Sequence, residues 1–131
     1  DVDLSNFGPW YGNAASDIDD FIDSIERLQR LKPRIVASGH SGPFEGRDKI
    51  DLLFEKYIDV IYQREEKILA LLKTEKTLED LLGKGIVYRK LGQPANVFRF
   101  FERVMLEKHL TRLVELGDVE QVTNKKYRAV P

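Results

Sequence analysis

Arg34-Ile35-Val36-Ala37-Ser38-Gly39-His40-Ser41-Gly42-Pro43 is the stretch on which the reading of this chain turns. A β-prone apolar run, Ile35-Val36-Ala37, breaks at a glycine, and the next side chain is an imidazole. The pattern predicts a buried strand with His40 at its C-terminal lip, the place where ligands collect in open α/β sheets. Pro43 keeps that strand from continuing. A single histidine after a strand is commonly just a loop residue. Its weight here comes from the chain's start, Asp1-Val2-Asp3-Leu4, which reads as a second, acid-bearing strand end one helix earlier. Two strand ends joined by a compact helical crossover are expected side by side in a parallel sheet, so that an aspartate and His40 face one site.

Between these ends, Ser5-Asn6-Phe7-Gly8-Pro9-Trp10-Tyr11-Gly12-Asn13 is a loop rich in turn formers and aromatics. Such aromatics either plug a local core or wall a pocket, and Trp10 and Tyr11 are the candidate substrate-binding residues. Ser16 is expected to cap the following helix, with Asp17, Asp19 and Asp20 suiting the positive end of its dipole. Ile18, Phe21, Ile22, Ile25, Leu28 and Leu31 then recur at helical spacing as one buried stripe. The acidic cluster is therefore read as helix chemistry and not as a metal site.

From Arg47 to about Lys73 one long helix is predicted, with Ile50, Leu53, Tyr57, Ile61, Ile68 and Leu72 near one stripe. Thr77 caps a short helix through Leu82, and Ile86-Val87-Tyr88 reads as a brief extended piece. Pro94 opens a helix that runs to Leu116 before Gly117. Val119-Glu120-Gln121-Val122 and Tyr127-Arg128-Ala129-Val130 form a hairpin across residues 123–126. This helix, short helix, longer helix and hairpin follow the order of a winged helix-turn-helix, with Arg103 on the third helix and Lys125 and Lys126 at the wing tip as candidate nucleic-acid contacts. Glu102 and Glu107 interrupt that basic face. His109, between apolar neighbours, is read as structural.

Composition narrows the chemistry. With 131 residues the chain has room for one ordinary domain or two small ones. It has no cysteine, so any metal must take histidine and carboxylate ligands, and thiol catalysis is excluded for these residues. No apolar run approaches the ~20 residues of a membrane span and no signal-peptide pattern is present. No membrane partner is expected, and a cytoplasmic setting is. The net charge of -1 hides an acidic head and a basic tail.

Asp1-Val2-Asp3-Leu4, an amphipathic helix ending in Leu31-Lys32-Pro33, and Ala37-Ser38-Gly39-His40-Ser41-Gly42-Pro43 together resemble the closing portion of the metallo-β-lactamase superfamily. The segment from Tyr62-Gln63-Arg64-Glu65 to the hairpin resembles the winged-helix tail carried by one branch of these hydrolases. The resemblance implies an α/β fragment, residues 1–46, that ends an αββα fold, followed by an α+β winged-helix domain over residues 47–131. It implies two divalent metal ions, zinc first and otherwise iron or manganese, with Asp1 (or Asp3) bridging them and His40 ligating one. It further implies metal-activated water acting on an ester, thioester, lactam or phosphodiester. The family's H-x-H-x-D-H signature is absent from this sequence. The chain is thus expected to be the C-terminal part of a longer enzyme, inactive alone, whose first partner is the missing N-terminal half, and a homo-oligomer is a further option. The alternative is a winged-helix nucleic-acid-binding protein without catalysis.

Overall fold

The computed structural model describes residues 2–131. Asp1, the first of the expected metal ligands, lies outside the described residues. The described residues divide into two compact units: residues 2–10 with 16–63, and residues 11–15 with 64–131. The boundary expected at residues 46 and 47 falls before the long helix, whereas the compact units divide that helix within its length.

In the first unit, α1 spans Ile18–Arg30. Its N-cap is Asp17, not Ser16: the Asp17 carboxylate accepts from the Asp20 amide at 3.0 Å. The substitution of one capping residue for its neighbour follows from the same chemistry, since a carboxylate at this position satisfies an orphan amide and complements the dipole together. Ile18, Ile22 and Ile25 are buried as the stripe demands, but Leu28 and Leu31 are exposed, Leu31 at 76%. The stripe therefore continues in sequence beyond the surface available to cover it.

After α1 the structure departs from the expected parallel crossover. β1 (Ile35–Val36) pairs antiparallel with β2 (Phe44–Glu45), with Val36 opposite Phe44. Gly39 to Pro43 is the connecting turn, and no strand is assigned over residues 2–4. Gly42 reverses the chain at φ 98°, where a Cβ would lie 3.2 Å from the Phe44 amide nitrogen and 3.3 Å from the Val36 carbonyl. Glycine is the residue that tolerates both the angle and the approach. His40 thus sits at a hairpin tip.

α2 runs over Arg47–Leu71. Its first turns pack Ile50, Phe54 and Tyr57 against Leu4 and Ile25, with Phe21, Val36, Phe44 and Leu53 at the margin. Each such side chain withdrawn from water contributes about 1.5–3 kcal/mol, and this cluster fixes α1, the hairpin and the Val2–Leu4 segment around one helix.

In the second unit, β3 (Lys76–Thr77) leads into α3 (Leu78–Leu81), where Thr77 and Asp80 form a reciprocal capping box. No strand forms at Ile86–Tyr88; Ile86 and Val87 are instead buried in an irregular segment. α4 spans Ala95–Leu116 and buries Met105, Leu106, Leu110 and Leu113. β4 (Val119–Thr123) and β5 (Lys126–Ala129) complete a three-stranded antiparallel sheet in the order β3-β5-β4.

Candidate metal centre

The first unit brings the Asp3 carboxylate and the His40 imidazole together: Asp3 Oδ2 lies 3.9 Å from His40 Nδ1. Two local devices place them. Asp3 is oriented from its own side, because its Oδ1 accepts from the Ser5 amide at 2.9 Å. The turn carrying His40 closes on itself through serines: the Ser38 hydroxyl donates to the Ser41 carbonyl at 2.6 Å and accepts from the Ser41 amide at 3.0 Å. The Ser41 hydroxyl donates in turn to the Asp3 carbonyl. The acid-bearing and histidine-bearing segments meet through these side-chain bonds, and not as the neighbouring strand ends of a parallel sheet that the sequence suggests.

An imidazole nitrogen and a carboxylate oxygen about 4 Å apart can share one cation with small side-chain rotations, given bonds of about 2.0–2.2 Å to each donor. His40 is 69% exposed and Asp3 21% exposed, so the pair opens to the outside. An oxygen and nitrogen donor set suits zinc, iron or manganese and does not choose among them. Among the described residues no group of three or more His, Asp or Glu side chains could hold a metal. Asp3 and His40 supply two such donors, short of the three or four protein ligands of a zinc site.

The expected pocket wall divides. Trp10 is partly exposed at 37%, whereas Tyr11 is fully buried. Tyr11 therefore does not line an open pocket; it plugs the second unit. Its hydroxyl accepts from Arg64 Nη1 at 2.9 Å and lies 2.5 Å from His109 Nε2. His109 Nδ1 is 3.1 Å from Glu65 Oε1, and Arg112 Nη1 reaches both Glu65 oxygens at 2.9 and 2.8 Å. Burial, the largest influence, pushes the Tyr11 hydroxyl up to about 12, against the lowering effect of Arg64. Burial likewise holds His109 below its ordinary value although Glu65 pulls the other way. For Glu65, burial works upward but is outweighed by the bonds from His109 and Arg112, which hold the carboxylate below its usual range. His109 is fully buried, with Tyr11 and Glu65 against its two ring nitrogens. Its partner Glu65, and Arg64 on the far side of Tyr11, were invisible to periodicity, because both are charged residues on a long surface-patterned helix.

Two of the three candidate nucleic-acid contacts, Arg103 and Lys126, lie against acids, as does Arg128 on the same hairpin. Arg103 Nη2 bonds Glu79 Oε1, Lys126 Nζ lies 3.9 Å from Glu75, and Arg128 pairs with Glu120 at 2.7 Å. Lys125 is exposed in the β4–β5 turn, its amide 3.4 Å from Thr123 Oγ1. No helix among the described residues is long and apolar enough to cross a membrane.

No protein-family model matches the chain, and no curated protein does. Among solved structures, a metallo-beta-lactamase family protein from Thermus thermophilus is similar over 86% of this chain, with a TM-score of 0.64 and 26% sequence identity. The match covers 33% of that protein, so the chain spans about a third of the length of the structure it resembles. In fold, this chain is similar to part of a metallo-beta-lactamase family protein.

Proposed function

We propose that this chain is the C-terminal portion of a metal-dependent hydrolase of the metallo-β-lactamase superfamily, joined to a winged-helix unit. The observation that carries the proposal is the approach of Asp3 Oδ2 and His40 Nδ1 to 3.9 Å at a hairpin tip, in a chain similar to one-third of a metallo-beta-lactamase family protein. Asp3 and His40 each offer a donor to the same ion, and Asp3 holds its second oxygen on the Ser5 amide so that Oδ2 is the one presented. Asp1 remains a candidate for the bridging carboxylate. A divalent ion, if held by these donors, would lower the pKa of a bound water toward neutrality and would polarise an acyl or phosphoryl oxygen. Esters, thioesters, lactams and phosphodiesters are all within that chemistry. Trp10 is the candidate substrate contact from the loop that follows Leu4.

The order β3, α3, α4, β4, β5 with sheet order β3-β5-β4 supports the winged-helix reading of the second unit. The exposed Leu31 and Ile35, at 76% and 63%, support a further segment that packs on the first unit. We assign that role to the residues expected upstream of Asp1, which would also supply the other ligands.

The test is metal content of the intact protein, measured for the parent and for Asp1→Ala, Asp3→Ala and His40→Ala. Loss of metal in His40→Ala and in one aspartate variant is expected. Full metal content in all three variants would remove the proposal.

A further inference from the structure

We infer that residues 11–15 are a proton-sensitive latch of the second unit, held by the Tyr11 hydroxyl and let go when the buried His109 ring takes up a proton. The device is independent of the metal donors in the first unit. Residues 11–15 fold with residues 64–131, although Tyr11 and Arg64 are 53 positions apart. Tyr11 is fully buried, and its hydroxyl sits between Arg64 Nη1, at 2.9 Å, and His109 Nε2, at 2.5 Å. Its ring stands edge-on to the imidazole, with centroids 5.3 Å apart. Another tie, from Lys108 Nζ to the Ala14 carbonyl at 3.4 Å, is exposed and easily exchanged for water. The buried hold of Tyr11 is the one that a proton can reverse.

Bond direction decides what that proton does. Arg64 can only donate, so the Tyr11 O–H donates to Nε2, and Nε2 accepts only while the ring is neutral. Protonation puts a hydrogen on that nitrogen, and the phenolic hydrogen then points at a donor. The added charge also meets a cationic setting. Segment 11–15 brings the Tyr11 hydroxyl to the ring, α2 brings Arg64 and Glu65, and α4 brings Arg112. One carboxylate, already bonded twice by Arg112, would have to balance three cations. Burial first, and the two arginines with it, keep His109 below its ordinary 6.5 against the pull of Glu65. Once the segment leaves, water reaches Nε2 and the ring returns toward that value, so release takes up a proton. Release is therefore favoured as pH falls below 6.5, by up to about tenfold per pH unit. Glu65, held below its own ordinary 4.5, stays ionised down to that value and does not drive the change.

The experiment is hydroxyl-radical footprinting of the chain from pH 7.5 to 5, for the parent and His109→Gln, read by mass spectrometry at three side chains. Tyr11 reports the latch, and Tyr62, 42% exposed, is the reference. Met105, the one methionine and fully buried on α4, reports opening of the whole unit. Expected in the parent is a Tyr11-to-Tyr62 ratio that climbs below pH 6.5 while Met105 stays protected, with the NMR signals of the His109 ring shifting over the same range. In His109→Gln, which is neutral throughout, the ratio should stay level. A level ratio in the parent overturns the latch, as does a climb of the same size in His109→Gln. Tyr11 and Met105 becoming reactive together in the parent also overturns it, because the unit then opens as a whole. Should Met105 already react in His109→Gln at pH 7.5, the parent's ring signals decide: a shift in step with Tyr11 supports the latch, and signals that stay still while Tyr11 is released overturn it.

Discussion

The Tyr11 hydroxyl oxygen lies 2.5 Å from His109 Nε2, and Arg64 approaches the same oxygen from 2.9 Å. Arginine has no acceptor, so Arg64 donates to Tyr11, the Tyr11 O–H donates to Nε2, and the neutral His109 ring carries its hydrogen on Nδ1, toward Glu65. One directional chain thus runs from Arg64 to Glu65, where Arg112 closes it with two bonds. Removing the Tyr11 hydroxyl leaves a buried imidazole nitrogen without this donor. Tyr11→Phe is expected to lower stability by about 1–3 kcal/mol, read as a lower urea midpoint at unchanged slope. An unchanged midpoint would show that water takes over the hydroxyl's place.

The same chain predicts how stability follows pH. His109 is held by burial below its ordinary 6.5, so below that value the unfolded chain binds a proton that the folded chain refuses, and stability falls as pH drops. Glu65, held below its ordinary 4.5, adds a second loss as pH falls through its folded value. Tyr11, raised to about 12, gives the opposite limb: its share is complete below its ordinary 10.0 and is lost as pH rises through 12. Glu102 works against the acidic losses. Burial raises its carboxyl above the ordinary value despite the bond from the Gly83 amide, so its share of stability is lost as pH rises through the folded value. Comparing the parent with His109→Gln separates the imidazole from the rest: between pH 7.5 and 5.5 the variant's urea midpoint should decline less. Parallel declines would mean that His109 protonates as readily folded as unfolded.

Gly8 lies at φ 82°, and a Cβ there would stand 2.5 Å from Val60 Cγ1. Gly8→Ala therefore combines a left-handed backbone, costing about 1–2 kcal/mol, with an overlap that forces α2 or the loop to shift, about 1–3 kcal/mol more. Val60→Gly in the same chain removes all three side-chain atoms that collide, Cγ1, Cβ and Cγ2. Against Val60→Gly alone, adding Gly8→Ala should then cost only the first contribution, which thermal or urea unfolding of the four proteins measures. An equal cost of Gly8→Ala in both backgrounds would place the whole effect in the backbone.

Periodicity sufficed for α1, α2 and α4, because their apolar residues recur on one face and Thr77 and Gly117 mark boundaries by local chemistry. It failed where the partner is distant. Ile35 and Val36 have strand propensity in any setting, and only the pairing with Phe44 and Glu45 across the Gly42 turn makes them a hairpin. The meeting of an acidic segment with His40 was legible from the two motifs and their separation by one helix. The means of that meeting was not, since Ser38 and Ser41 read as ordinary turn residues until the Asp3 carbonyl is beside them. Tyr11 misled for a related reason: an aromatic in a loop carries no mark of which unit it enters, and its destination is set by Arg64 and His109, 53 and 98 positions away.

The second unit's cations make a further prediction about nucleic acid. Each phosphate contacted by a lysine or arginine adds about 0.9 to the steepness with which duplex affinity falls against salt. Arg103 bonds Glu79, Lys126 lies near Glu75, and Arg128 pairs with Glu120 and lies 3.6 Å from Glu75. A phosphate must displace a carboxylate already in place before it gains any of these three groups, and Glu107 adds exposed negative charge on α4. Duplex binding, measured by anisotropy from 50 to 200 mM salt, should therefore be weak, with a logarithmic slope no steeper than about −2. Glu79→Gln and Glu75→Gln free two of the cations and should steepen it. A parent slope near −5 would require the ion pairs to open on contact, and would favour a nucleic-acid-binding role for this unit over a purely structural one.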